Sequence, residues 1–556
     1  MRASFAREPG DTLKAIQLVA SATLLVLSAS ACDQRLSVED LSDPDVARVF
    51  ATGQSIESTI GAGYQTVHNA LDPSSTADRP GVEVWGLESY SSLNNFNLGT
   101  RSAIPRLPIN NVIGAPSIFS EYTAWAKEAR LVINALNALD ALVKSGKSIG
   151  TPAKDLRARS FGFFVAGVSL GWLGLTYDSA GIVGPGMPSD SVPPLSGAQD
   201  VIKASLTLLD SALAIANNTA AAGAFPLEAA WMGNTSGLSL DQYKRVIRSY
   251  KARFRANAAR TPAQGAAVDW AKVIDDAENG INFNFMVNTG SSTGWQNGWD
   301  VTRYQDATWS ELTMMYFGMA DVSGAYANFI AQDYAHKNGW FLVITPDQRW
   351  PQGATRAAQN AASTQPASVT SRPYISNRPS GNDVVGDGWG VSFYDYFRYR
   401  YIKANSNAGP HPEFLKAEND LLAAEGYLRT GNIAAAAAKI DLSRVANGAL
   451  PALSGTVTSA TAAIPGGANC VPQVPNGSGG VACGNILEAM KYDKRIEVAY
   501  SSFGLFWMDS RRWGDLVEGT PLEFPVPYQE MQTRQKPFYL LGPGFGSAAT
   551  KGTYGF

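Results

Sequence analysis

Apolar residues recur at alternating steps of three and four along much of the chain. Ile118, Tyr122, Trp125, Ala129, Val132, Leu136 and Leu139 form the longest such row and predict one amphipathic helix. From Gly53 a shorter row, Ile56, Ile60 and Tyr64, predicts another. Thr151-Pro152 reads as a helix start, a capping residue followed by a first-turn proline. The run Phe161 to Thr176 is almost wholly apolar. It is too short to span a bilayer, and Arg157, Arg159 and Asp178 crowd its ends. Gly162, Gly167, Gly171 and Gly174 instead predict a buried helix that others approach closely. Helices are also expected over Ser196–Asn217, Ser239–Arg260 (basic) and Val268–Asn279 (acidic). Between about 282 and 408 the periodicity lapses into Gly, Asn, Ser, Pro and aromatic residues. It returns at Pro412, where Phe414, Ala417, Leu421, Ala424 and Leu428 share a face. Gly431-Asn432 makes a tight stop before Ile433, Ala437 and Ile440, and further helices are expected over Asn485–Tyr500 and Leu505–Val517. Strand-like alternation is scarce, apart from fragments such as Gly339 to Ile344.

Helix pairs with short turns predict an all-α fold, a tetratricopeptide-like helix-pair solenoid with a large loop-rich, mostly irregular lobe. The expected organisation is a helical repeat region over 53–281, a loop-rich aromatic region over 282–408 and a C-terminal helical region over 409–556. Residues 71–117 are expected to be a long loop.

The beginning of the chain decides the compartment. Arg2, Arg7 and Lys14 precede an apolar run from Ala15 to Leu27, then the small residues Ala29-Ser30-Ala31 and Cys32. This is the order of a secretory signal over residues 1–31. A cysteine directly after the small residues resembles a lipobox, which implies diacylglycerol on the Cys32 thiol. Several acyl chains on one residue hold a protein stably at a membrane. Residues 32–52, with Ser42-Asp43-Pro44-Asp45, then form a polar lipidated tether. Cys470 and Cys483 flank a Pro/Gly/Val/Asn-rich stretch over 471–482. In an exported chain such a pair is expected to form a disulfide.

Net charge is −3 and no long Lys/Arg run occurs, which argues against a nucleic-acid partner. The informative excess is 53 Gly and 30 Pro beside 13 Trp and 21 Tyr, because it places some aromatics in irregular stretches that do not read as core.

The C-terminal third resembles the SusD/RagB family. The block Ala489-Met490-Lys491-Tyr492-Asp493-Lys494-Arg495-Ile496-Glu497, then Phe506-Trp507-Met508-Asp509-Ser510-Arg511-Arg512-Trp513-Gly514-Asp515-Leu516, is similar to the family's R-x-x-E helix and its aromatic R-R-W-G-D-L segment. Leu415-Lys416-Ala417-Glu418 through Ala424-Glu425-Gly426-Tyr427 resembles its repeat helix, and Phe524-Pro525-Val526-Pro527 its terminal F-P-(I/V)-P. The resemblance implies an outer-membrane, surface-exposed, non-catalytic lipoprotein. Such a protein binds an oligosaccharide or another nutrient, less expectedly a peptide, and delivers it to a SusC-like TonB-dependent transporter. The rival reading is an exported glycosidase or polysaccharide lyase on an α/α scaffold, which needs two carboxylates across a cleft.

Two loop regions combine aromatics with Asn in Gly/Ser-rich sequence and are the candidate ligand platforms. One holds Trp85, Tyr90, Asn94, Asn95 and Phe96; the other holds Trp295, Asn297, Trp299, Arg303 and Tyr304, with Trp309 further on. Exposed rings there would stack on the C–H faces of sugars while amides and Arg bind hydroxyls. Trp340, Trp350, Tyr374, Trp389 and the run from Phe393 to Tyr401 are expected to pack, with Arg398 and Arg400 in cation–π contacts. The charged set Arg495, Glu497, Asp509, Arg511, Arg512 and Asp515 is expected to interlock helix ends and not to catalyse. His68, His336 and His411 lack ligand spacing and are expected to be solvated or capping, so no metal is expected. No nucleophile elbow, H-E-x-x-H, P-loop or complete dinucleotide fingerprint occurs, so no cofactor or catalytic residue is expected. Asn382-Asp383 and Asp387-Gly388 lack EF-hand spacing.

Overall fold

A computed structural model describes residues 46–72, 78–90, 98–114, 120–297, 311–332, 339–379 and 392–555. The chain divides into a first unit ending at Val49, in which Val46–Val49 is one helical turn, and a second unit over Phe50–Phe556. All that follows concerns the second unit.

Its principal helices are α1 (Gly53–Leu71), α2 (Asp78–Trp85), α3 (Ser120–Lys144), α4 (Pro152–Thr176), α5 (Ala198–Ala216), α6 (Leu240–Asn257), α7 (Trp270–Glu278), α8 (Lys416–Arg429), α9 (Ile433–Arg444), α10 (Ile486–Val498) and α11 (Leu505–Trp513). Strands are short and form two-stranded antiparallel ladders: β1 (Ser89–Tyr90) with β5 (Glu311–Leu312), β2 (Ser179–Gly181) with β3 (Leu195–Gly197), β4 (Phe285–Thr289) with β8 (Gly409–Phe414), β6 (Ile375–Asn377) with β7 (Tyr394–Tyr396), and β9 (Gln473–Pro475) with β10 (Val481–Cys483). The fold is helical, with an irregular lobe between α7 and α8.

Local chemistry explains the helix starts. Thr151 caps α4 by accepting from the Lys154 N–H, with Pro152 in the first turn. Ser239 and Gln242 close a capping box on α6, and Asn485 caps α10 through the Glu488 N–H. Gly514 ends α11 in the left-handed conformation, φ +80°, and its N–H reaches the Ser510 carbonyl, so the helix stops short of Val517.

Helix α4 is the axis of the larger core. Its apolar run lies buried between α3, α5 and α6 and is not a surface facing lipid. A Cβ at Gly171 would sit 2.1 Å from the Phe254 ring, and one at Gly167 2.9 Å from Leu209. Only glycine lets these helices come so close. Trp125 stacks on Trp172 with centroids 6.2 Å apart, tying α3 to α4.

Two expectations change. The stretch 71–117 is not a loop throughout, because α2 lies within it and buries Val82, Val84 and Trp85. Phe414 belongs to β8, opposite Phe285, and not to a helix; α8 begins only at Lys416. Pro410 and Pro412 have no N–H to give a helix but are tolerated in a two-stranded ladder.

The charged set of the C-terminal block interlocks helices, as its composition suggested. Arg512 grips Glu425 of α8 through Nε (3.0 Å) and Nη2 (2.7 Å), Arg495 donates to Asp515 at 2.6 Å, and Lys494 donates to Asp509 at 2.8 Å. Among the described residues Arg511 makes no ion pair with a carboxylate. It donates to the carbonyls of Leu175, Asn257 and Leu522 beneath Trp507, and burial drives its pKa well below the ordinary arginine value. Cys470 and Cys483 are disulfide-linked with Cα atoms 5.8 Å apart. Arg398 lies 3.9 Å above the Tyr374 ring and Arg400 4.9 Å from Phe397, the expected cation–π pairs.

Glu128 is the anomaly of the helical half. It is 4% exposed between α3 and α1, its Oε1 has no hydrogen-bond partner, and only the Thr66 hydroxyl offsets the burial that pushes its pKa up to about 7. A raised carboxyl pKa favours the protonated folded state. Stability is therefore intact below about pH 4.5 and falls as pH rises through about 7. Glu128→Gln should gain about 3 kcal/mol over wild type at pH 8 and nothing at pH 4. Urea midpoints at the two pH values test this, and an equal difference at both would refute it.

Candidate functional site

The site is approached from the ladder β1–β5. Tyr90 pairs with Glu311, so the stretch that leaves at residue 91 and the stretch that arrives at 310 have adjoining anchors. Ser392 donates its hydroxyl to the Leu312 carbonyl at 2.5 Å and forms a parallel bridge with Gly339. Tyr90, Glu311, Gly339 and Ser392 thus gather at one rim of the irregular lobe.

On this rim stand Trp340, Phe393 and Arg356, all half-buried. The Trp340 and Phe393 rings lie 5.7 Å apart at 32°, and the Arg356 guanidinium lies 4.6 Å from the Phe393 centroid. Arg356 Nη2 donates to the Arg378 carbonyl at 2.8 Å, and the Arg378 N–H donates to the Phe393 carbonyl at 2.7 Å. Two partly open aromatic faces and a fixed cation offer both halves of sugar recognition, stacking and hydroxyl contact. Sequence reasoning assigned Trp340 and Phe393 to packing. The available signal was their position: each closely follows a Gly- or Asn-containing stretch.

The second anchor lies on α1. Gln65, His68 and Asn69 share one helical face and hold the backbone of 293–296. Gln65 Nε2 donates to the Thr293 carbonyl (3.3 Å), Asn69 Nδ2 donates to the Gly294 carbonyl (3.0 Å), and the Gln296 N–H donates to Asn69 Oδ1 (2.9 Å). His68 Nε2 lies 2.9 Å from the Gln296 carbonyl and its Nδ1 2.7 Å from Glu413 Oε2. The Tyr64 hydroxyl donates to Glu413 Oε1 at 2.6 Å and lies 2.6 Å from the Tyr250 hydroxyl. Burial opposes the charge on both partners, yet their mutual attraction wins: the His68 pKa is raised above 6.5 and that of Glu413 is held down at about 2. His68 and His411 are 1% and 2% exposed with rings 6.1 Å apart, so the solvated or capping role expected of them is corrected. His336 lies outside the described residues. Among the described residues no group of His, Cys, Asp or Glu is arranged to hold a metal ion.

The candidate platforms of the sequence fall into two sets. Trp85, Tyr90 and Trp295 are described, and they are 2%, 8% and 4% exposed. Trp85 packs 5.1 Å from Phe524, and Trp295 packs 5.3 Å from His68 and 6.1 Å from Tyr64. The expectation that these rings are open platforms is corrected: helix α2 and the α1 clamp turn them into the core, where their large apolar area is best hidden. Asn297 is buried too, donating to Thr289 Oγ1 at 2.7 Å and to the Asn407 carbonyl at 2.9 Å. Asn94, Asn95, Phe96, Trp299, Arg303, Tyr304, Trp309, Trp389 and the Asn382–Gly388 carboxylates lie outside the described residues, as does Cys32.

No family model and no curated protein sequence matches the chain. Solved structures do. A protein of Bacteroides vulgatus named for a proposed sugar-binding role superposes with a TM-score of 0.51 at 11% identity, over 89% of this chain and 99% of its own. A SusD-like carbohydrate-binding protein of Bacteroides vulgatus gives 0.50 at 12% identity over 84% and 86%. A SusD superfamily protein of Bacteroides thetaiotaomicron gives 0.50 at 12% over 83% and 89%. This chain has the SusD fold. Within the SusD fold seen here, the helix pairs α3–α4, α4–α5 and α8–α9 form the scaffold, and the irregular lobe carries the Trp340–Phe393 rim. The conclusion extends to the fold as a whole, because the superposition covers most of each chain.

Proposed function

We propose that this protein is a non-catalytic, lipid-anchored outer-membrane lipoprotein of the SusD/RagB type that captures an oligosaccharide. It passes the ligand to a SusC-like TonB-dependent transporter, with Cys32 carrying the acyl chains. The half-open pair Trp340–Phe393 with Arg356 beside it carries this reading. Support comes from structural neighbours named as SusD-like carbohydrate-binding and proposed sugar-binding proteins. Asn94, Trp299 and Tyr304, which combine aromatics with Asn in the sequence, are proposed as further contacts. Trp85 and Trp295 are buried in the larger core, away from the cluster that Trp340 and Phe393 pack against, and are not proposed as contacts.

Burying one aromatic face against a sugar contributes about 1.5–3 kcal/mol, so Trp340→Ala should weaken binding at least about tenfold. Trp350→Ala is not an equivalent control, since Trp350 is core; Phe545→Ser, at a remote exposed position, is. The test is calorimetric titration with a panel of soluble oligosaccharides. A glycan that binds both wild type and Trp340→Ala with one affinity would remove the site assignment. Sustained release of reducing ends from any polysaccharide would replace the binding reading with that of a glycosidase or lyase.

A further inference from the structure

Two extended segments lie side by side near the end of the chain, 107–113 and 538–545. The Ile109 N–H donates to the Leu541 carbonyl at 2.7 Å, and Asn111 Nδ2 donates to the carbonyls of Val526 (3.0 Å) and Tyr539 (2.9 Å). The Gly114 N–H donates to the Tyr528 hydroxyl at 3.3 Å, and Tyr528 lies 6.4 Å from the Phe538 ring. Ile109, Asn111 and Leu541 are buried. Among the exposed residues around them are six apolar side chains, Leu107 (49% exposed), Val112 (39%), Ile113 (69%), Phe538 (42%), Leu540 (45%) and Phe545 (76%).

Phe545 is presented by a tight turn, with Gly542 and Phe545 bridged and Gly544 and Gly546 at positive φ. Six such side chains expose several hundred Å², on the order of the largest apolar patch that a soluble monomer tolerates. The exposed cations Lys536 and Lys551 flank the patch; the carboxylate nearest to 538–545 in sequence, Glu530, is paired with Arg534 at 2.7 Å, and Glu518 lies beside Lys551 at a neighbouring pocket.

We propose that this face rests on a lipid bilayer, its apolar side chains at the acyl boundary and its lysines at the phosphates. The anchor at Cys32, which this inference takes from the proposed function, brings the bilayer within reach. Roughly 18 residues separate Cys32 from the folded unit, at most about 65 Å of extended chain. A folded unit of this length has a radius of gyration of about 23 Å. Every face can therefore meet the membrane, and the one that gains free energy by doing so is the apolar one. Local confinement by the anchor makes even a weak contact persistent.

The experiment uses the mature chain with Cys32→Ser, free of acyl groups, so that the anchor and the face are tested apart. It is sedimented with vesicles of phosphatidylethanolamine alone and with phosphatidylglycerol added. Binding to both, stronger with the anionic lipid, is expected. Leu540→Ser with Phe545→Ser should lower it at least about tenfold while the circular dichroism spectrum is unchanged. No sedimentation at millimolar lipid would overturn the proposal. So would binding only to anionic vesicles that the two substitutions leave untouched, or concentration-dependent self-association through the same residues. Mass spectrometry of wild-type protein from its host reports on the Cys32 anchor separately.

Discussion

Arg349→Ala should lower the free energy of unfolding by about 3–5 kcal/mol and sharply reduce soluble yield. Arg349 is fully buried, and so are the carboxylates around it. Its guanidinium meets Asp347 at 2.8 Å, Asp493 of α10 at 2.6 Å and Glu497 of α10 at 3.2 Å. Nη1 also donates to Ser443 of α9 at 3.3 Å. Burial works against every one of these charges, and only their closeness offsets it. Burial outweighs the attraction of Arg349 and Arg444 at Asp493, whose pKa is raised, whereas Arg398 and Arg349 hold that of Glu497 below its ordinary value. Removing the arginine would leave three carboxylates in a closed space. Arg349→Lys keeps a charge but loses the planar fork, so it should fall between wild type and alanine. Urea unfolding followed by tryptophan fluorescence measures the series. An alanine variant with a wild-type midpoint would mean that this cluster contributes little to holding the irregular lobe on α10.

Acid should unfold the protein between about pH 4.5 and 2, and two carboxylates should carry much of the effect. Glu413 and Glu425 are buried, and each is held at about 2 against the burial that opposes it, Glu413 by His68 and Tyr64 and Glu425 by Arg512. A depressed carboxyl pKa adds stability that is complete above about 4.5 and is lost as pH falls through about 2. Each contributes on the order of 3 kcal/mol. Together they span the molecule, because Glu413 joins β8 to α1 and Glu425 joins α8 to α11. Glu425→Gln should flatten the acid limb of a stability–pH curve while lowering stability at pH 7. An acid limb of unchanged slope would place the titrating groups elsewhere.

Much of the scaffold was legible. The 3-4 rows of α1 and α3, the Thr151-Pro152 start and the Gly431-Asn432 turn are local signals, and local signals survive folding. The four glycines of α4 predicted close packing because a missing side chain has one physical use in a buried helix. The C-terminal charged block was readable as an interlock for a similar reason, since arginines interleaved with carboxylates and aromatics satisfy one another when buried. The site was less legible. Trp85 and Trp295 sit in sequence that resembles loop, yet α2 and the Gln65–His68–Asn69 row bury them. Trp340 and Phe393 resemble core residues in sequence and stand half-open.

By itself the sequence determined the helical class, the order of the helix pairs, the buried helix at the centre and the candidate anchor at Cys32, because each rests on residues close together along the chain. The tertiary structure alone decided which aromatics face outward, that His68 meets Glu413 across 345 positions, and that residues 107–113 and 538–545 build one apolar face. Exposure and long-range pairing depend on what the rest of the chain brings to the other side of a residue, and no local pattern encodes that.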